Sequence, residues 1–238
     1  GGGTRARCYV AELFHGPTFC FKDLGMRATI YLLEYFARNR GSGSAEGNKE
    51  YDKGDDKDNS NNDHENDTPS RVILTAATTG DTGPAAVRAV QDRNSPNLGI
   101  VVHYPEGQIS DFQRKQMTCV ESDRVRVVVF EGGGDDMDRP IKNILQSQSQ
   151  SQAKQSSSTT TTTTNNNNVL VCGVNSYNIG RPLMQMVHFV WTYLRVVERI
   201  EKETGNPVDH DTFRLDVVVP TGAMGNLAGC VSASLQLA

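Results

Sequence analysis

The chain has 238 residues, with 24 Lys and Arg against 28 Asp and Glu, so its formal net charge is −4. This balance argues against a general nucleic-acid binder, because such proteins usually carry a basic surplus. No apolar run approaches the roughly 20 residues of a membrane-spanning helix, which argues against a membrane protein.

Two polar stretches account for most of the acidity and polarity of the chain. Residues 41–70 hold nine Asp and Glu against three Lys, and residues 146–168 are almost entirely Ser, Thr, Asn and Gln. With so few apolar side chains, neither stretch can bury enough surface to offset its ordering entropy, so both are predicted to be disordered inserts. An acidic interaction segment and an association-prone tract are the alternatives. The remaining residues have the near-neutral, apolar composition of a globular core.

The rest of the chain alternates between segments with helical spacing and short β-rich runs. In chain order they predict a helix over 22–38, a strand over 72–74, a helix over 84–91, a strand over 98–103, a helix over 110–119, a strand over 126–130, a helix over 136–145, a strand over 169–172, a helix over 182–202, a strand over 217–219 and a helix over 226–237. This alternation is typical of an α/β protein with open, mainly parallel sheets covered by helices. In such folds ligands bind beyond the carboxyl ends of the strands, so the turns there are the candidate binding sites.

The turn after the predicted strand 217–219 contains Gly222 and Gly225 and precedes a helix. Glycines allow a ligand to approach the backbone closely, and a helix N-terminus offers free N–H groups to an anion. The turn is therefore a candidate phosphate site. A plain strand-to-helix turn with glycines would explain the same pattern.

The turn after the predicted strand 72–74 carries more polar side chains. Thr78, Thr79, Asp81 and Thr82 surround Gly80 and a second glycine at a predicted helix start. Such a concentration of hydroxyl and N–H groups could hold a carboxylate or a phosphate. Helix capping alone would need fewer polar side chains.

Lys22 lies between Phe21 and Leu24 in an apolar context. A lysine that is desolvated in this way loses part of its preference for the charged form, which makes Schiff-base chemistry accessible. An ordinary surface lysine is the alternative, and composition does not choose between the two.

Five cysteines are scattered through the chain, odd in number and without C-x-x-C spacing: Cys8, Cys20, Cys119, Cys172 and Cys230. Neither a disulfide framework nor a zinc site is expected, and a reducing compartment, the cytoplasm, is the expected location. Because the chain opens without Met and stops within a helical pattern, we expect it to be a fragment that lacks N- and C-terminal parts.

Taken together and in order, five segments resemble motifs of threonine synthases. Residues 12–23 resemble the lysine-bearing motif, 78–83 the S/T-S-G-D-T-G loop, 104–118 the Y-P-x-G-x-I-S-x-x-Q-x-x-Q-M-T stretch, 175–185 the N-S-x-N-x-x-R segment and 219–226 the V-P-T-G-N-F-G-D loop. The resemblance covers nearly all of residues 9–238 apart from the two inserts. It implies a catalytic region of the tryptophan-synthase-β-like fold, known as fold type II of the enzymes that use pyridoxal 5'-phosphate (PLP).

The resemblance also implies roles for individual residues. Lys22 would bond the cofactor and transfer protons. The cofactor phosphate would be held by Gly222, Ala223, Met224, Gly225 and Asn226. The substrate carboxylate would be bound by Thr78, Thr79, Gly80, Asp81 and Thr82. The substrate phosphate would be bound by Asn175, Ser176, Asn178 and Arg181, although Asn178 and Arg181 could instead cap the following helix. No metal site is implied.

Some residues depart from the threonine synthase pattern. Ala223 and Asn226 stand where that family has Asn and Asp, and Thr79 replaces a serine. These changes, with residues 136–142, look closer to threonine synthase-like phospho-lyases, which eliminate phosphate from O-phosphohomoserine or O-phosphothreonine to give a 2-oxo acid such as 2-oxobutanoate.

Three functional hypotheses follow from the resemblance. The first is conversion of O-phosphohomoserine and water to threonine and phosphate, and the second is the phospho-lyase reaction. The third is a non-catalytic remnant that binds phosphorylated ligands. In each case the expected partner is a small phosphorylated amino acid, with neither nucleic acid nor membrane.

Overall fold

The computed structural model describes residues 7–38, 71–155, 169–220 and 222–237. Its elements are α1 (Lys22–Arg38), β1 (Arg71–Ala77), α2 (Thr82–Arg93), β2 (Leu98–Pro105), α3 (Asp111–Thr118), β3 (Val125–Phe130), α4 (Gly134–Gln155), β4 (Val169–Gly173), α5 (Gly180–Thr204) and α6 (Gly225–Leu237). The predicted insert over 41–70 lies outside the described residues. The helices predicted for α1, α2, α3, α5 and α6 are confirmed, with bounds that differ by a few residues at most.

The four strands form one parallel sheet in the order β3-β2-β1-β4. Leu74 of β1 is level with Ile100 of β2 on one side and with Cys172 of β4 on the other. The α/β fold class with a parallel sheet is therefore confirmed. The chain adds β2 and β3 on one side of β1 and then returns to add β4 on the other. In open α/β sheets, the crevice for ligands lies where the strand order reverses, which here is between β1 and β4.

The core lies between this sheet and the helices that cover it. Val72 and Leu74 of β1 and Val102 of β2 are fully buried, and Met26 and Ile30 of α1 pack in the same cluster. Strands of parallel sheets that are covered on both faces are nearly continuous apolar runs, as β1 and β2 are here. This rigid centre fixes the positions of the loops at the strand ends.

The prediction of a strand over 217–219 is wrong. The segment has no strand pairing in the structure, and Val218 is 94% exposed. Three consecutive valines favour extended backbone, but a strand also needs a neighbour for its hydrogen bonds. None of the four described strands lies beside this segment.

Helix α4 continues to Gln155, into the segment predicted to be the disordered insert over 146–168. Once a helix is nucleated, each further residue adds one hydrogen bond at little cost, and Gln, Ala and Lys are good helix formers. The predicted insert therefore begins too early, and its residues 156–168 lie outside the described residues. Within the part of the chain that the structure describes, no helix is both long and apolar enough to cross a membrane.

Candidate active site

A cavity of about 560 Å³ lies at the carboxyl ends of β1 and β4, at the reversal of strand order. It brings together segments that are far apart in the chain: the start of α1, the β1–α2 loop, the β4–α5 loop and the start of α6. Its lining includes Lys22, Thr78, Thr79, Gly80, Asp81, Thr82, Asn175, Ser176, Arg181, Gly222, Ala223, Gly225 and Asn226. Of the predicted site residues, Met224 and Asn178 do not line it.

Lys22 is the first residue of α1, and its side chain is only 20% exposed. Its Nζ donates to Asp81 Oδ2 at 3.2 Å and lies 4.8 Å from the centre of the Phe21 ring. These two contacts, with a carboxylate and with an aromatic face, hold the side-chain nitrogen at the cavity wall. Lys22 is therefore a largely buried lysine at the cavity wall, held by one carboxylate.

The turn that precedes Lys22 is held by Asp23, which is buried. The Asp23 carboxylate accepts from the Thr18 backbone N–H at 2.8 Å and from the Thr18 hydroxyl at 2.6 Å. A Cβ at Gly16 would lie 2.4 Å from Asp23 Oδ2, so only glycine fits there. Asp23 thus shapes the loop that sets where Lys22 starts.

The β1–α2 loop is organised by the hydroxyl of Thr78. Its Oγ1 accepts from the N–H groups of Gly80 and Gly83, each at 3.1 Å, and donates to the Gly80 carbonyl at 2.8 Å. This hydroxyl is fully engaged within the loop, so Thr78 shapes the site instead of offering a donor to a ligand. Thr82 opens α2 at the cavity, where the positive end of the helix dipole favours an anion.

Gln113 of α3 also lines the cavity and was not among the predicted site residues. Its Nε2 donates to Asp81 Oδ1 at 2.5 Å, so both oxygens of Asp81 have partners. Ser110 and Gln113 have the sequence spacing of a capping box, and in the structure Ser110 is the N-cap of α3 and its hydroxyl accepts from the Gln113 backbone N–H. That local pattern gave no sign of a contact with Asp81, 32 residues earlier.

The β4–α5 loop uses most of its polar side chains to bind backbone. The amide of Asn175 pairs with both the N–H and the C=O of Ala77, at 3.1 and 2.6 Å. Asn178 donates to the Gly173 carbonyl at 2.7 Å and accepts at 3.0 Å from the N–H of Gly180, the first residue of α5. These contacts tie the ends of β1 and β4 together and fix the cavity floor.

Arg181 is the cation of this loop, and it is 3% exposed. Its Nη1 donates to the Val174 carbonyl at 3.1 Å, while its Nε is buried without a partner. Burial lowers the pKa of Arg181 to about 10, so the guanidinium remains charged at neutral pH. Because Arg181 lines the cavity, its buried positive charge favours an anionic ligand there.

The loop before α6 approaches the β4–α5 loop closely. A Cβ at Gly225 would lie 2.8 Å from Ser176 Cβ, which is too short for any side chain. Asn226 is buried, and its Oδ1 accepts from His188 Nε2 at 3.1 Å. Burial lowers the pKa of His188, which keeps the ring neutral at neutral pH. His188 is a second contact that sequence reasoning missed, since it pairs with a residue on a different helix.

Among the described residues, no group of three or more His, Cys, Asp or Glu side chains is arranged to hold a metal ion. The fold and the cavity define an α/β protein whose site, at the carboxyl ends of its strands, combines a lysine, a glycine-containing loop and a buried arginine.

Comparisons with known proteins make this class specific. The chain is 31% identical over 229 residues to threonine synthase-like 2 of Mus musculus. This alignment covers 96% of this chain and 37% of that relative. It superposes on the crystal structure of threonine synthase from yeast with a TM-score of 0.58 and 27% identity, covering 95% of this chain and 35% of the other. The PLP-bound threonine synthase from Brucella melitensis gives a TM-score of 0.58 and 26% identity, covering 94% and 36%.

These likenesses in sequence and fold confirm that the chain belongs to the threonine synthase family. It spans little more than a third of the length of the relatives it matches. A comparison with protein-family models gives no match.

Proposed function

We propose that the protein is a PLP-dependent enzyme in which Lys22 bonds the cofactor. The observation that carries this proposal is that the Lys22 amine, the loop 222–226 and the loop 78–82 line one cavity. Its volume of about 560 Å³ is in the range of small-ligand sites. The B. melitensis relative, which is PLP-bound, supports the same cofactor.

The residues present fit this cofactor. Gly222 and Gly225 border the cavity at the start of α6, where backbone N–H groups and the helix dipole would hold the cofactor phosphate. Ala223 and Asn226 belong to the same loop, and replacing the family's Asn and Asp leaves these backbone donors in place. Met224 is 60% exposed and outside the cavity lining, so we assign it no contact with the cofactor beyond its backbone.

The substrate that fits the remaining lining is a small phosphorylated amino acid. Its carboxylate would meet the N-terminus of α2 at Thr82 and the adjacent loop, whereas its phosphate would meet Arg181 and Ser176. The positive charge of Arg181 at the cavity wall supports the phosphate assignment. We also propose a cytoplasmic location, which the five free cysteines support.

The reaction we propose is the conversion of O-phosphohomoserine and water to threonine and phosphate. When bound, PLP supplies an electron sink for the carbanionic steps. Lys22 Nζ, released from the cofactor, would take the proton from the substrate α-carbon and later return it. Asp81 would keep Lys22 at the cavity wall between these transfers.

A second candidate, the phospho-lyase reaction, is favoured by one observation. The chain is 31% identical to the threonine synthase-like 2 protein of mouse and 26% identical to the threonine synthase of Saccharomyces cerevisiae. In both reactions Lys22 would perform the first proton transfer. The two differ in whether water adds before the product leaves.

The test uses the full-length protein supplied with PLP and O-phosphohomoserine, with separation of threonine, 2-oxobutanoate and phosphate. Threonine supports the synthase, 2-oxobutanoate supports the phospho-lyase, and a lack of phosphate release favours the non-catalytic remnant. Lys22→Ala should abolish the absorption band of the lysine-bound cofactor. Lys202→Ala, which changes an exposed lysine in the last turn of α5, is the matched control. A band that survives in Lys22→Ala would refute the assignment of the lysine.

A further inference from the structure

Helix α3 reaches the cavity with one face, which carries Gln113 and, one turn later, Met117. Met117 is 1% exposed and packs on Gly83, where a Cβ would lie 2.3 Å from its sulfur. Gln113 Nε2 sits above Gly80, where a Cβ would approach it to 3.4 Å. The face of α3 is therefore locked against the β1–α2 loop, and the Gln113 amide has a fixed position beside Asp81.

The orientation of this amide is set by the capping box of α3. The Ser110 hydroxyl donates to Gln113 Oε1 at 2.8 Å and accepts from the Gln113 backbone N–H at 3.3 Å. Because the carbonyl end of the amide is occupied by Ser110, its N–H end must face the cavity. That end donates to Asp81 Oδ1, while Lys22 Nζ donates to Asp81 Oδ2.

Charged and titratable groups of several elements surround this chain of contacts. The buried Cys20 and Asp23 are two of them: burial, and then the charges of Asp23 and Asp81, raise the pKa of the Cys20 thiol. Lys22 of α1 faces Asp81 directly, and Arg181 of α5 lines the same cavity. On α3 itself, Arg114 pairs with Asp111 at 3.2 Å, and both side chains are substantially exposed. The neutral Gln113 amide is therefore the second partner of the Asp81 carboxylate. When Lys22 is engaged elsewhere, Gln113 still satisfies one oxygen of Asp81.

From this geometry we infer that Gln113 is a positioning residue for Lys22. By holding Asp81 in place, it fixes the carboxylate that accepts a hydrogen bond from Lys22 Nζ at the cavity wall. Its role in the reaction rests on the proposed function. During the proton transfers assigned to Lys22, Gln113 would retain Asp81 at its place, so that Lys22 returns to the same partner. Without Gln113, Asp81 would be free to turn towards solvent, and the pair with Lys22 would weaken.

The test measures the rate at which an amine-reactive reagent labels Lys22, as a function of pH, by peptide mass spectrometry of the full-length protein freed of carbonyl cofactor. Only the neutral amine reacts, so a weaker pair with Asp81 permits labelling at lower pH. Gln113→Met keeps the length of the side chain but removes its donor. We expect Lys22 labelling at neutral pH to rise about ten-fold, since a hydrogen bond to a charged group contributes about that factor.

Two further variants make the result decisive. Ser110→Ala removes the hydroxyl that orients the Gln113 amide and should give a smaller rise in Lys22 labelling. This variant still tests the inference if Gln113→Met does not fold. Gln108→Ala is the matched control, because Gln108 is exposed and donates to the Gly132 carbonyl outside the cavity. An unchanged labelling profile in Gln113→Met and Ser110→Ala overturns the inference, as does an equal shift in Gln108→Ala.

The labelling needs neither cofactor nor turnover, which separates this inference from the proposed function. If the variants change Lys22 labelling but the unaltered protein shows no cofactor absorption band, the role of Gln113 is supported and the proposed function is refuted. If the cofactor absorption band is present but the variants leave Lys22 labelling unchanged, the proposed function is supported and the role of Gln113 is refuted.

Discussion

The contact between Gly225 and Ser176 allows the proposed phosphate loop to be tested without any ligand. In Gly225→Ala the new Cβ would lie 2.8 Å from Ser176 Cβ. Carbon atoms in contact are normally about 3.5–4.0 Å apart, so one of the two loops must move by about 1 Å. Gly222→Ala is the matched control in the same loop, because nothing lies within 4 Å of a Cβ there.

The expected cost follows from this difference. Overpacking a close contact destabilises a protein by about 1–3 kcal/mol, so the free energy of unfolding of Gly225→Ala should fall by that amount. Gly222→Ala should remain within about 0.5 kcal/mol of the unaltered protein. Urea denaturation followed by circular dichroism measures both. If the loop holds the cofactor phosphate, absorbance titration with PLP should show weaker binding in Gly225→Ala and little change in the control.

A double mutant shows whether the contact itself is responsible. Ser176→Gly removes the Cβ that collides, so Gly225→Ala should be less harmful in its presence, with a coupling energy of about 1 kcal/mol or more. Equal destabilisation by the two glycine substitutions, or additive effects in the double mutant, would refute the close approach of the two loops.

Two other substitutions test the loop and the buried histidine. Thr78→Val should lower the free energy of unfolding by about 1–3 kcal/mol, because two backbone N–H groups lose their acceptor. Thr79→Val changes an exposed residue of the same loop and should alter the free energy of unfolding by no more than about 0.5 kcal/mol. Equal urea midpoints for the two variants would contradict this prediction. Burial lowers the pKa of His188, so the unfolded chain binds its proton first as the pH falls, and stability should decline below about pH 6.5. His188→Gln should flatten this decline in urea midpoints measured from pH 7.5 to 5.5, whereas the exposed His210→Gln should not; a slope unchanged in His188→Gln would count against the buried neutral ring.

The parts of the site that sequence could predict are those encoded locally. Lys22 and the two glycine-containing loops stand in short motifs, and parallel strands necessarily bring the turns at their carboxyl ends to one edge. The cavity therefore collects nearly all of the predicted residues. Their assignment to carboxylate, cofactor and substrate phosphate stays a prediction.

The contacts that were missed join distant segments. Gln113 reads as a capping residue and His188 as one polar position in a long amphipathic helix, and only the packing of α3 and α5 gives each its partner. Thr78 shows the opposite limit, because its hydroxyl satisfies backbone groups of its own loop that the motif does not identify as needing a partner. The strand predicted over 217–219 failed for a related reason, since pairing depends on a neighbour and not on β-propensity alone.

The central position of β1 has a consequence for how the chain folds. One of its edges pairs with β2 soon after it along the chain, whereas the other pairs with β4, and Ala77 meets Asn175 across 98 residues. Contacts between residues so far apart in the chain are expected to form late in folding, because the entropy cost of closing the chain comes before the contacts can stabilise the structure. Closure entropy grows only with the logarithm of length, so extra residues between the two strands cost little equilibrium stability. Until β4 docks, however, β1 presents a bare apolar edge, the feature by which partly folded chains associate.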